Sequence, residues 1–459
     1  MHRRNAWPVL AAFALLLGSC AAGGPAIEQL YPAHAANRER VPVILIPGLL
    51  GSRLARSEDG QELWPGSTRK LLTSGYEELA LRIDPETLEP IDDGLVASGL
   101  FDGAAGHDFY RRIVKELREA GGYRLSRPGS KVVQQKARLY LFAYDWRQDN
   151  VVTVEKLDEL IEQIRRDYND PHLRVDVIAH SMGGLIVRYY ERYGTVDVLN
   201  GNSFAVTGLG LSKLRRVVLL GAPNQGTVTA VHKFLNGYRV GFSALPTEGV
   251  ATMPSTFQLF PHPLVDWVVN IDGEPLKFNV FDVEFWRSHE WSIFDHRIQR
   301  RISNHPDIWP APDVFERWFE KRLDRARRFV WSLMVPSGDL PLLEPLLLGA
   351  DCVPTPRRLV FENIGGESVA RLRPEQIQQP TPGVDYEKLM FAPGDGSVTT
   401  SSLLARQELS PADAHRVQRG LEPHRELFVC AGHGELTSND ELLDALIEYL
   451  LAPEPDEAR

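Results

Sequence analysis

The chain has 459 residues, of which 43% are hydrophobic and 24% are charged, as is typical of a globular protein with a sizeable core. Its formal net charge is −10, and no run of Lys and Arg offers contacts to phosphates, so we expect no nucleic-acid partner. This length allows one large domain with insertions, or two to three domains.

The first twenty residues predict an export signal. Arg3 and Arg4 precede the apolar run 9–17, which is too short to span a bilayer as a helix. The sequence LGSC, which ends at Cys20, resembles the lipobox of bacterial lipoproteins. That resemblance implies cleavage before Cys20 and lipidation of its thiol. We therefore predict a signal peptide over 1–19, a tether over 20–40 and a lipid anchor in the bacterial outer membrane. A periplasmic or secreted protein and a buried N-terminal helix are the alternatives.

Apolar runs and helical patterns alternate through most of the remaining chain. The apolar runs are continuous, which favours strands buried on both faces of a parallel sheet. Strands that alternate with helices indicate an α/β fold with a mostly parallel central sheet flanked by helices. The predicted strands are 41–48, 139–144, 175–179, 216–221, 359–364 and 427–430, and the predicted helices are 109–120, 154–168, 185–193 and 439–451.

Residues 224–354 interrupt this alternation. They are rich in Trp, Phe, Pro and His, contain helical patterns at 231–235 and 315–334, and show no buried-strand run. We interpret them as a cap inserted over the sheet, which divides the core into a first part, 41–223, and a second part, 355–452. A separate helical domain without contact with the site is the alternative. A smaller excursion covers 367–393.

A serine stands between a predicted strand and a predicted helix in DVIAHSMGGLIVRYY, which starts at Asp176. Strand, small-x-Ser-x-Gly and helix in this order are typical of a nucleophile elbow, a tight turn that holds the Ser181 hydroxyl above the sheet. Ala179 stands where glycine is usual, and we expect the turn to tolerate its one methyl group. We therefore predict that Ser181 is a nucleophile; a helix-capping serine is the alternative.

A serine nucleophile needs a base, and the base needs an acid to orient it. In α/β-hydrolases these partners follow in the order Ser, Asp or Glu, His. His433 fits the base because it follows the last predicted strand and lies between two glycines. His415 and His424 are alternative bases, although neither follows a strand directly. A solvated loop histidine is the alternative interpretation of His433.

The acid is expected between the serine and the histidine, in a loop that follows a strand. Asp395 lies between two glycines in PGDGSVTTSSL, and we predict that it is the acid. Asp-Gly is also an ordinary turn dipeptide. Asp351 and Asp385 are alternative acids in less constrained segments.

An oxyanion hole requires two backbone N–H donors aimed at the developing charge. Met182, the residue after the nucleophile, is expected to supply one. Leu49, in the loop IPGLLGS after the first predicted strand, is our choice for the second. An ordinary strand-ending turn is the alternative interpretation of that loop.

Other polar clusters have less specific patterns. The histidines of the predicted cap lack the tight spacing of metal ligands, and we predict neither a metal nor a cofactor. Asp145 and Arg147 in YDWRQD are expected to pair and to support the site structurally. An exported protein permits a disulfide between Cys352 and Cys430, and a buried free thiol at Cys430 is an equal alternative.

Several motifs together resemble the lecithin:cholesterol acyltransferase-like family of α/β-hydrolases, between about Val41 and Leu436. The resemblance implies an α/β-hydrolase fold and an acyl-enzyme mechanism on lipid esters, with transfer of the acyl group to water or to an alcohol. It also implies that Ser181, Asp395 and His433 form the triad and that the oxyanion donors are Leu49 and Met182. The motifs, in order, are VILIPGLLGSRL, YDWR, AHSMGG, APNQGT, MPSTFQLFP, GDGSV and AGHGEL.

These observations predict a serine acyl-ester hydrolase or O-acyltransferase that acts on lipid esters. A short-chain carboxylesterase and a non-catalytic surface lipoprotein on a hydrolase scaffold are the alternatives. The apolar parts of the cap are expected to cover the acyl chain; they are 234–235, 257–260, 267–269 and 329–334.

Overall fold

The computed structural model describes residues 41–104, 107–133, 137–201, 204–240, 243–406 and 420–452. The predicted signal peptide and tether, Cys20 and the alternative base His415 lie outside these ranges.

The strands of the described ranges are between two and seven residues long. They are β1 (Val43–Ile46), β2 (Ser52–Arg56), β3 (Glu62–Trp64), β4 (Leu95–Leu100), β5 (Gly103–Ala104), β6 (His107–Asp108), β7 (Arg124–Leu125), β8 (Arg138–Leu141), β9 (Val175–His180), β10 (Leu214–Leu220), β11 (Tyr238–Val240), β12 (Ser243–Leu245), β13 (Val268–Asn270), β14 (Leu346–Ala350), β15 (Val353–Pro356), β16 (Leu359–Ile364), β17 (Glu367–Arg371), β18 (Phe391–Gly394) and β19 (Arg425–Val429).

Helices lie between most of these strands. They are α1 (Thr68–Thr73), α2 (Arg111–Glu119), α3 (Asn150–Tyr168), α4 (Met182–Tyr193), α5 (Val228–Asn236), α6 (Thr247–Val250), α7 (Pro254–Phe257), α8 (Val283–Ser288), α9 (His296–Asn304), α10 (Pro312–Ser332), α11 (Tyr386–Met390), α12 (Thr400–Leu403) and α13 (Asp440–Leu451), with short 3-10 helices at Glu77–Leu79, Val198–Asn200, Leu211–Lys213, Ser292–Phe294, Pro374–Gln376 and His433–Ser438.

A seven-stranded sheet forms the centre of the fold, in the order β19-β14-β10-β9-β1-β8-β7, and its neighbouring strands run parallel. Along β9, Val177 and Ala179 pack into one hydrophobic cluster and Ile178 packs into another. Helices α3 and α4 contribute to the first cluster, and α2 and α13 contribute to the second. Helices therefore cover both faces of the sheet, and the predicted fold class is confirmed.

One predicted strand lies in a different sheet. Residues 359–364 were expected in the central sheet, but they form β16, which pairs with β13 and β17 in a separate three-stranded sheet. The central position between β10 and β19 is taken by β14, a fully buried strand inside the range where no buried strand was expected. The boundaries of the predicted cap stay a prediction, but residues 346–350 belong to the central sheet.

The segment between β10 and β14 contacts the core at several points. Ser255 Oγ donates to Trp146 O at 2.5 Å, and Asn150 N donates to Gln258 Oε1 at 2.9 Å. The Phe234 ring packs against the rings of Phe257, Phe260 and Phe319 at centroid distances of 4.7 to 6.2 Å. These rings are buried and form the interior of this segment, so by themselves they do not define an acyl groove.

A disulfide joins Cys352, just after β14, to Cys430, just after β19. Of the two alternatives for Cys430, the structure contains the disulfide. Within the described ranges, none of the helices is long and apolar enough to cross a membrane, and no group of three or more His, Cys, Asp or Glu side chains could hold a metal ion.

Candidate active site

The candidate site lies at the carboxyl ends of the strands of the central sheet. Ser181 directly follows β9, and His433 follows β19. Asp395 follows β18, whose partner β15 begins shortly after β14 ends. In open α/β sheets, ligand sites lie outside the carboxyl ends of the strands. The fold therefore brings together three residues that are far apart in the sequence.

Ser181 has a strained backbone conformation with φ 54° and ψ −124°. A positive φ is uncommon for any residue except glycine, and such strain costs about 1–3 kcal/mol. The Ser181 N–H donates to Leu220 O at 2.8 Å, which fixes the turn to β10. α4 begins at the next residue, so Ser181 alone joins strand to helix, and it is partly exposed, as in a nucleophile elbow.

Three glycines let the neighbouring backbone approach this turn closely. A Cβ on Gly48 would lie 2.7 Å from Ser181 Cβ, and a Cβ on Gly183 would lie 2.7 Å from a backbone oxygen of the loop after β1. A Cβ on Gly184 would lie 2.5 Å from a side chain after β10. Such distances are too short for real contacts, so larger residues would displace the serine turn or the loops around it.

Ala179 gives a test of how tightly the turn is packed. It is fully buried, and we expect Ala179→Val to lower the free energy of unfolding by about 1–3 kcal/mol through overpacking and to reduce ester hydrolysis. Ala179→Gly is expected to change hydrolysis much less. Urea unfolding and kcat should be measured for both variants. Equal kcat values for the Val and Gly variants would contradict a close approach of strand and helix at Ala179.

Two hydrogen bonds link the three predicted side chains. Ser181 Oγ lies 2.8 Å from His433 Nε2, and His433 Nδ1 lies 2.7 Å from Asp395 Oδ2. An ionised carboxylate can only accept, so Nδ1 carries a proton and donates it to Asp395. In the neutral ring, Nε2 then accepts from the Ser181 hydroxyl. In this arrangement an imidazole can take the proton from a serine that attacks a carbonyl carbon.

The backbone around Asp395 fixes its carboxylate. Oδ1 accepts from Ser397 N at 2.9 Å and from Val398 N at 2.7 Å, while Asp395 O accepts from His433 N at 2.8 Å. Burial raises the pKa of the Asp395 carboxyl, but His433 and these N–H groups outweigh that effect, so its pKa lies below the ordinary value. Asp395 is therefore ionised at neutral pH.

The His433 imidazole has the opposite shift. Burial lowers its pKa, but the charge of Asp395 and the hydrogen bond to it outweigh burial, so the pKa of His433 lies above its ordinary value of 6.5. Asp395 thus stabilises the imidazolium that forms when His433 accepts a proton.

The two predicted oxyanion donors flank the serine turn. Met182 is the first residue of α4 and is buried, and Leu49 lies in the loop after β1 and is partly buried. Among the described residues, neither the Leu49 N–H nor the Met182 N–H has a hydrogen-bond acceptor. Gly48 N, by contrast, donates to Tyr110 OH at 2.8 Å. Leu49 and Met182 therefore have N–H groups that are free to bind a developing negative charge.

The alternative base and acids lie elsewhere in the fold. The ring of His424 packs against Tyr449 with centroids 5.0 Å apart. Asp385 is the N-cap of α11 and accepts from Lys388 N, and Asp351 is an exposed residue after β14. None of these three side chains has a hydrogen bond to Ser181 or His433 among the bonds of the described chain.

Asp145 and Arg147 do pair, as expected. Arg147 Nε donates to Asp145 Oδ1 at 2.9 Å, and its Nη1 and Nη2 donate to Asp93 at 2.5 and 3.1 Å. The Arg147 side chain has no exposed surface. The cluster joins the loop after β8 to the segment before β4, which is a structural role.

Sequence reasoning missed Gly221, at the end of β10. Its φ is 55°, and a Cβ there would lie 3.1 Å from Asp395 Oδ2 and 3.3 Å from His433 Cε1. The glycine therefore leaves the space in which the acid and the base meet. The sequence signal is Gly-Ala-Pro at the end of a predicted strand, a pattern that indicates a strand end but no contact with the acid or the base.

The loop 224–227, part of the APNQGT motif, supports the segment that follows Asp395, which the sequence did not predict. Thr227 Oγ1 donates to Ser397 O at 2.5 Å, and Ser402 Oγ donates to Gly226 O at 2.7 Å. Asn224 Nδ2 donates to Leu403 O at 2.5 Å. These bonds attach the loop after β10 to the segment that directly follows Asp395.

The sheet order, the strained serine turn and the flanking helices define the chain as an α/β-hydrolase in fold. A chain in a solved structure described as "The crystal structure of Tle4-Tli4 complex" is 17% identical to this one. The match has a TM-score of 0.55 and covers 90% of this chain and 98% of that chain, and at this identity it concerns the fold alone. No curated protein sequence matches the chain.

Residues 103–302 match the family model of lecithin:cholesterol acyltransferase. This confirms the resemblance to the lecithin:cholesterol acyltransferase-like family of α/β-hydrolases that the motifs predicted, and it supports an acyl-ester hydrolase or acyltransferase activity. The matched range contains Ser181 and Met182, whereas Leu49, Asp395 and His433 lie outside it.

Proposed function

We propose that the chain is a serine hydrolase or O-acyltransferase of lipid esters, with Ser181 as nucleophile, His433 as base and Asp395 as the acid that orients the base. One observation carries the proposal: the hydrogen-bonded series of Ser181 Oγ, His433 and Asp395, at 2.8 and 2.7 Å, on a strained strand-to-helix turn. The lipid part of the proposal rests on the family match.

The first half-reaction forms an acyl-enzyme. Ser181 Oγ forms a bond to the ester carbonyl carbon while its proton passes to His433 Nε2. The Leu49 and Met182 N–H groups bind the resulting oxyanion. When the intermediate collapses, the bond from carbon to the leaving oxygen breaks, and the His433 imidazolium protonates the leaving alcohol.

The second half-reaction returns the free enzyme. His433 takes a proton from water or from an acceptor alcohol, whose oxygen attacks the acyl carbon. Collapse of the second intermediate releases a fatty acid or a new ester, and the proton returns to Ser181 Oγ. Because the same groups serve both acceptors, hydrolysis and transfer differ only in which hydroxyl reaches the acyl-enzyme.

A product assay tests this function. The protein is incubated with phospholipid and acylglycerol esters of long acyl chains and with short-chain esters, with and without an added alcohol, and the products are separated. We expect cleavage of the long-chain esters, lost in Ser181→Ala. Cleavage of short-chain esters alone would replace the lipid assignment with a carboxylesterase, and free fatty acid as the sole product despite excess alcohol would remove the transferase. No turnover of any ester would favour the non-catalytic scaffold.

Membrane anchoring through Cys20 is a further part of the proposal. We expect the full chain, expressed in a bacterium, to take up labelled fatty acid and to fractionate with membranes, and we expect Cys20→Ser to lose both properties because the serine hydroxyl does not replace the thiol. Membrane association of Cys20→Ser equal to that of the unchanged chain would remove the lipobox interpretation and leave a periplasmic or secreted protein.

A further inference from the structure

A second set of hydrogen bonds joins the loop after β1 to the loop that carries His433. Gly48 N lies 2.8 Å from Tyr110 OH, and Tyr110 OH lies 2.8 Å from His180 Nδ1. The other ring nitrogen, His180 Nε2, lies 3.2 Å from His433 O. His180 is the last residue of β9 and directly precedes Ser181. The series therefore passes beside the nucleophile without contacting its hydroxyl.

The direction of each bond follows from the donors that are available. A backbone N–H can only donate, so Tyr110 O accepts from Gly48. The single hydroxyl proton of Tyr110 is then donated to His180 Nδ1, which must be the unprotonated nitrogen. His180 carries its proton on Nε2 and donates it to the His433 carbonyl. Every group is satisfied only when His180 is neutral, and burial and the nearby His433 lower the pKa of His180 to about 3.

The first end of the series fixes the backbone beside the Leu49 N–H. The Pro47 C=O accepts from Tyr144 OH at 2.9 Å, and the N–H of the same peptide group, Gly48 N, is held by Tyr110. The Gly48 C=O accepts from Gly51 N at 3.0 Å. Since that carbonyl and the Leu49 N–H belong to one peptide group, holding Gly48 on both sides sets the direction in which the Leu49 N–H points.

The other end fixes the backbone of the base. The His433 N–H donates to Asp395 O at 2.8 Å, and the His433 C=O accepts from His180 Nε2. The rings of His180 and His433 lie 5.0 Å apart. Tyr110 and His180 are 3% and 6% exposed, so water does not readily replace the bonds that they make.

We propose that Tyr110 and His180 are positioning residues, which hold the Leu49 N–H donor and the His433 imidazole in register with Ser181. The bonds of these two side chains go to Gly48 N, to each other and to the His433 carbonyl, not to Ser181 Oγ or the His433 ring; each acts through the loop to which it is bonded. The inference rests on the proposed function, because it assigns to these residues a task within the same acyl-transfer site.

The first test removes one oxygen atom. Tyr110→Phe leaves the Gly48 N–H without its acceptor and His180 Nδ1 without its donor. We expect kcat for ester hydrolysis to fall about tenfold to a hundredfold, as for a small misplacement of catalytic groups, with KM within about twofold. The rate of labelling of Ser181 by a fluorophosphonate should fall by a similar factor.

Tyr189→Phe is the matched control. Tyr189 OH also accepts from a backbone N–H, that of Val198 at 3.1 Å, and donates to a backbone carbonyl, that of Val196 at 2.9 Å. Tyr189 is fully buried and lies two turns further along α4. Tyr189→Phe, like Tyr110→Phe, loses one accepted and one donated hydrogen bond, but away from the site. Its kcat should therefore remain at the wild-type value, even if its melting temperature falls.

Two replacements of His180 each break one of its two hydrogen bonds, and so they test the two ends of the series one at a time. His180→Asn keeps an acceptor near the position of Nδ1 but loses the donor to His433, whereas His180→Gln keeps a donor near the position of Nε2 but loses the acceptor for Tyr110. Both variants should have lower kcat. Tyr110→Phe and His180→Gln both remove the Tyr110–His180 bond, so the double variant should lose little more than the larger single loss.

The outcomes separate this inference from the function on which it rests. If the unchanged protein neither cleaves esters nor labels at Ser181, the proposed function fails first. If it does both and folded Tyr110→Phe retains kcat, or loses only what Tyr189→Phe loses, the positioning role is overturned while the function stands. Losses in Tyr110→Phe and His180→Gln that add fully in the double variant would also overturn it.

Discussion

Replacing Ser181 with alanine is expected to reduce ester hydrolysis by about a millionfold and to abolish labelling by a fluorophosphonate. The change removes Oγ and its hydrogen bond to His433 Nε2, and with them the atom that attacks the ester. The Ser181 N–H and its bond to Leu220 O remain. Alanine and serine have the same backbone restrictions, so the turn and α4 are retained and the melting temperature should change little.

A serine outside the site gives the control for this result. Ser126 follows the edge strand β7, and its hydroxyl bonds to Arg124 O and to Arg138. Ser126→Ala should be labelled by the fluorophosphonate, and should hydrolyse the ester, at the rates of the unchanged protein. Labelling that persists in Ser181→Ala at the wild-type rate would identify another nucleophile and would remove Ser181 from the mechanism.

The strands that support Ser181 could be predicted because a few consecutive apolar residues are enough to indicate a buried strand. β9 contains the apolar run 177–179 and β10 the apolar run 217–220, and both runs are buried. β14 has the same character, but it follows LPLLEP, where two prolines and a glutamate are typical of a loop. β16 begins with the buried apolar run 359–361 and lies in another sheet. Which sheet a short run joins depends on distant partners, which local patterns do not encode.

Contacts between side chains far apart in the sequence could be predicted only where the catalytic residues of a fold class follow a known order along the chain. Asp395 and His433 were chosen because the hydrolase order requires an acid and then a histidine after the serine. Tyr110 lies 70 residues before His180, and no pattern in either neighbourhood indicates that they meet. Gly221 could not be predicted either, because the side chains that require the space left by its absent Cβ, Asp395 and His433, come from two later loops.

Asp395→Asn is expected to lower kcat by about ten-thousandfold while the fold is retained. The Ser397 and Val398 N–H groups donate to Oδ1, so the asparagine must place its amide oxygen there. Its NH2 group then faces His433 Nδ1 and donates to it. This forces the ring proton onto Nε2, the nitrogen that must accept from Ser181. The side chain keeps its place, but the imidazole has the wrong tautomer for a base.

The pH dependence of kcat/KM checks the same assignment. His433 works as a base only when neutral, and its pKa is raised by Asp395 above 6.5, so activity of the unchanged protein should fall as the pH drops through a midpoint above 6.5. In Asp395→Asn the raising charge is gone while burial still lowers the pKa, so the midpoint of any residual activity should move to lower pH. Asp385→Asn, which retains an N-cap residue at the start of α11, should keep both the wild-type rate and the wild-type midpoint. An unchanged midpoint in Asp395→Asn would show that another carboxylate orients His433.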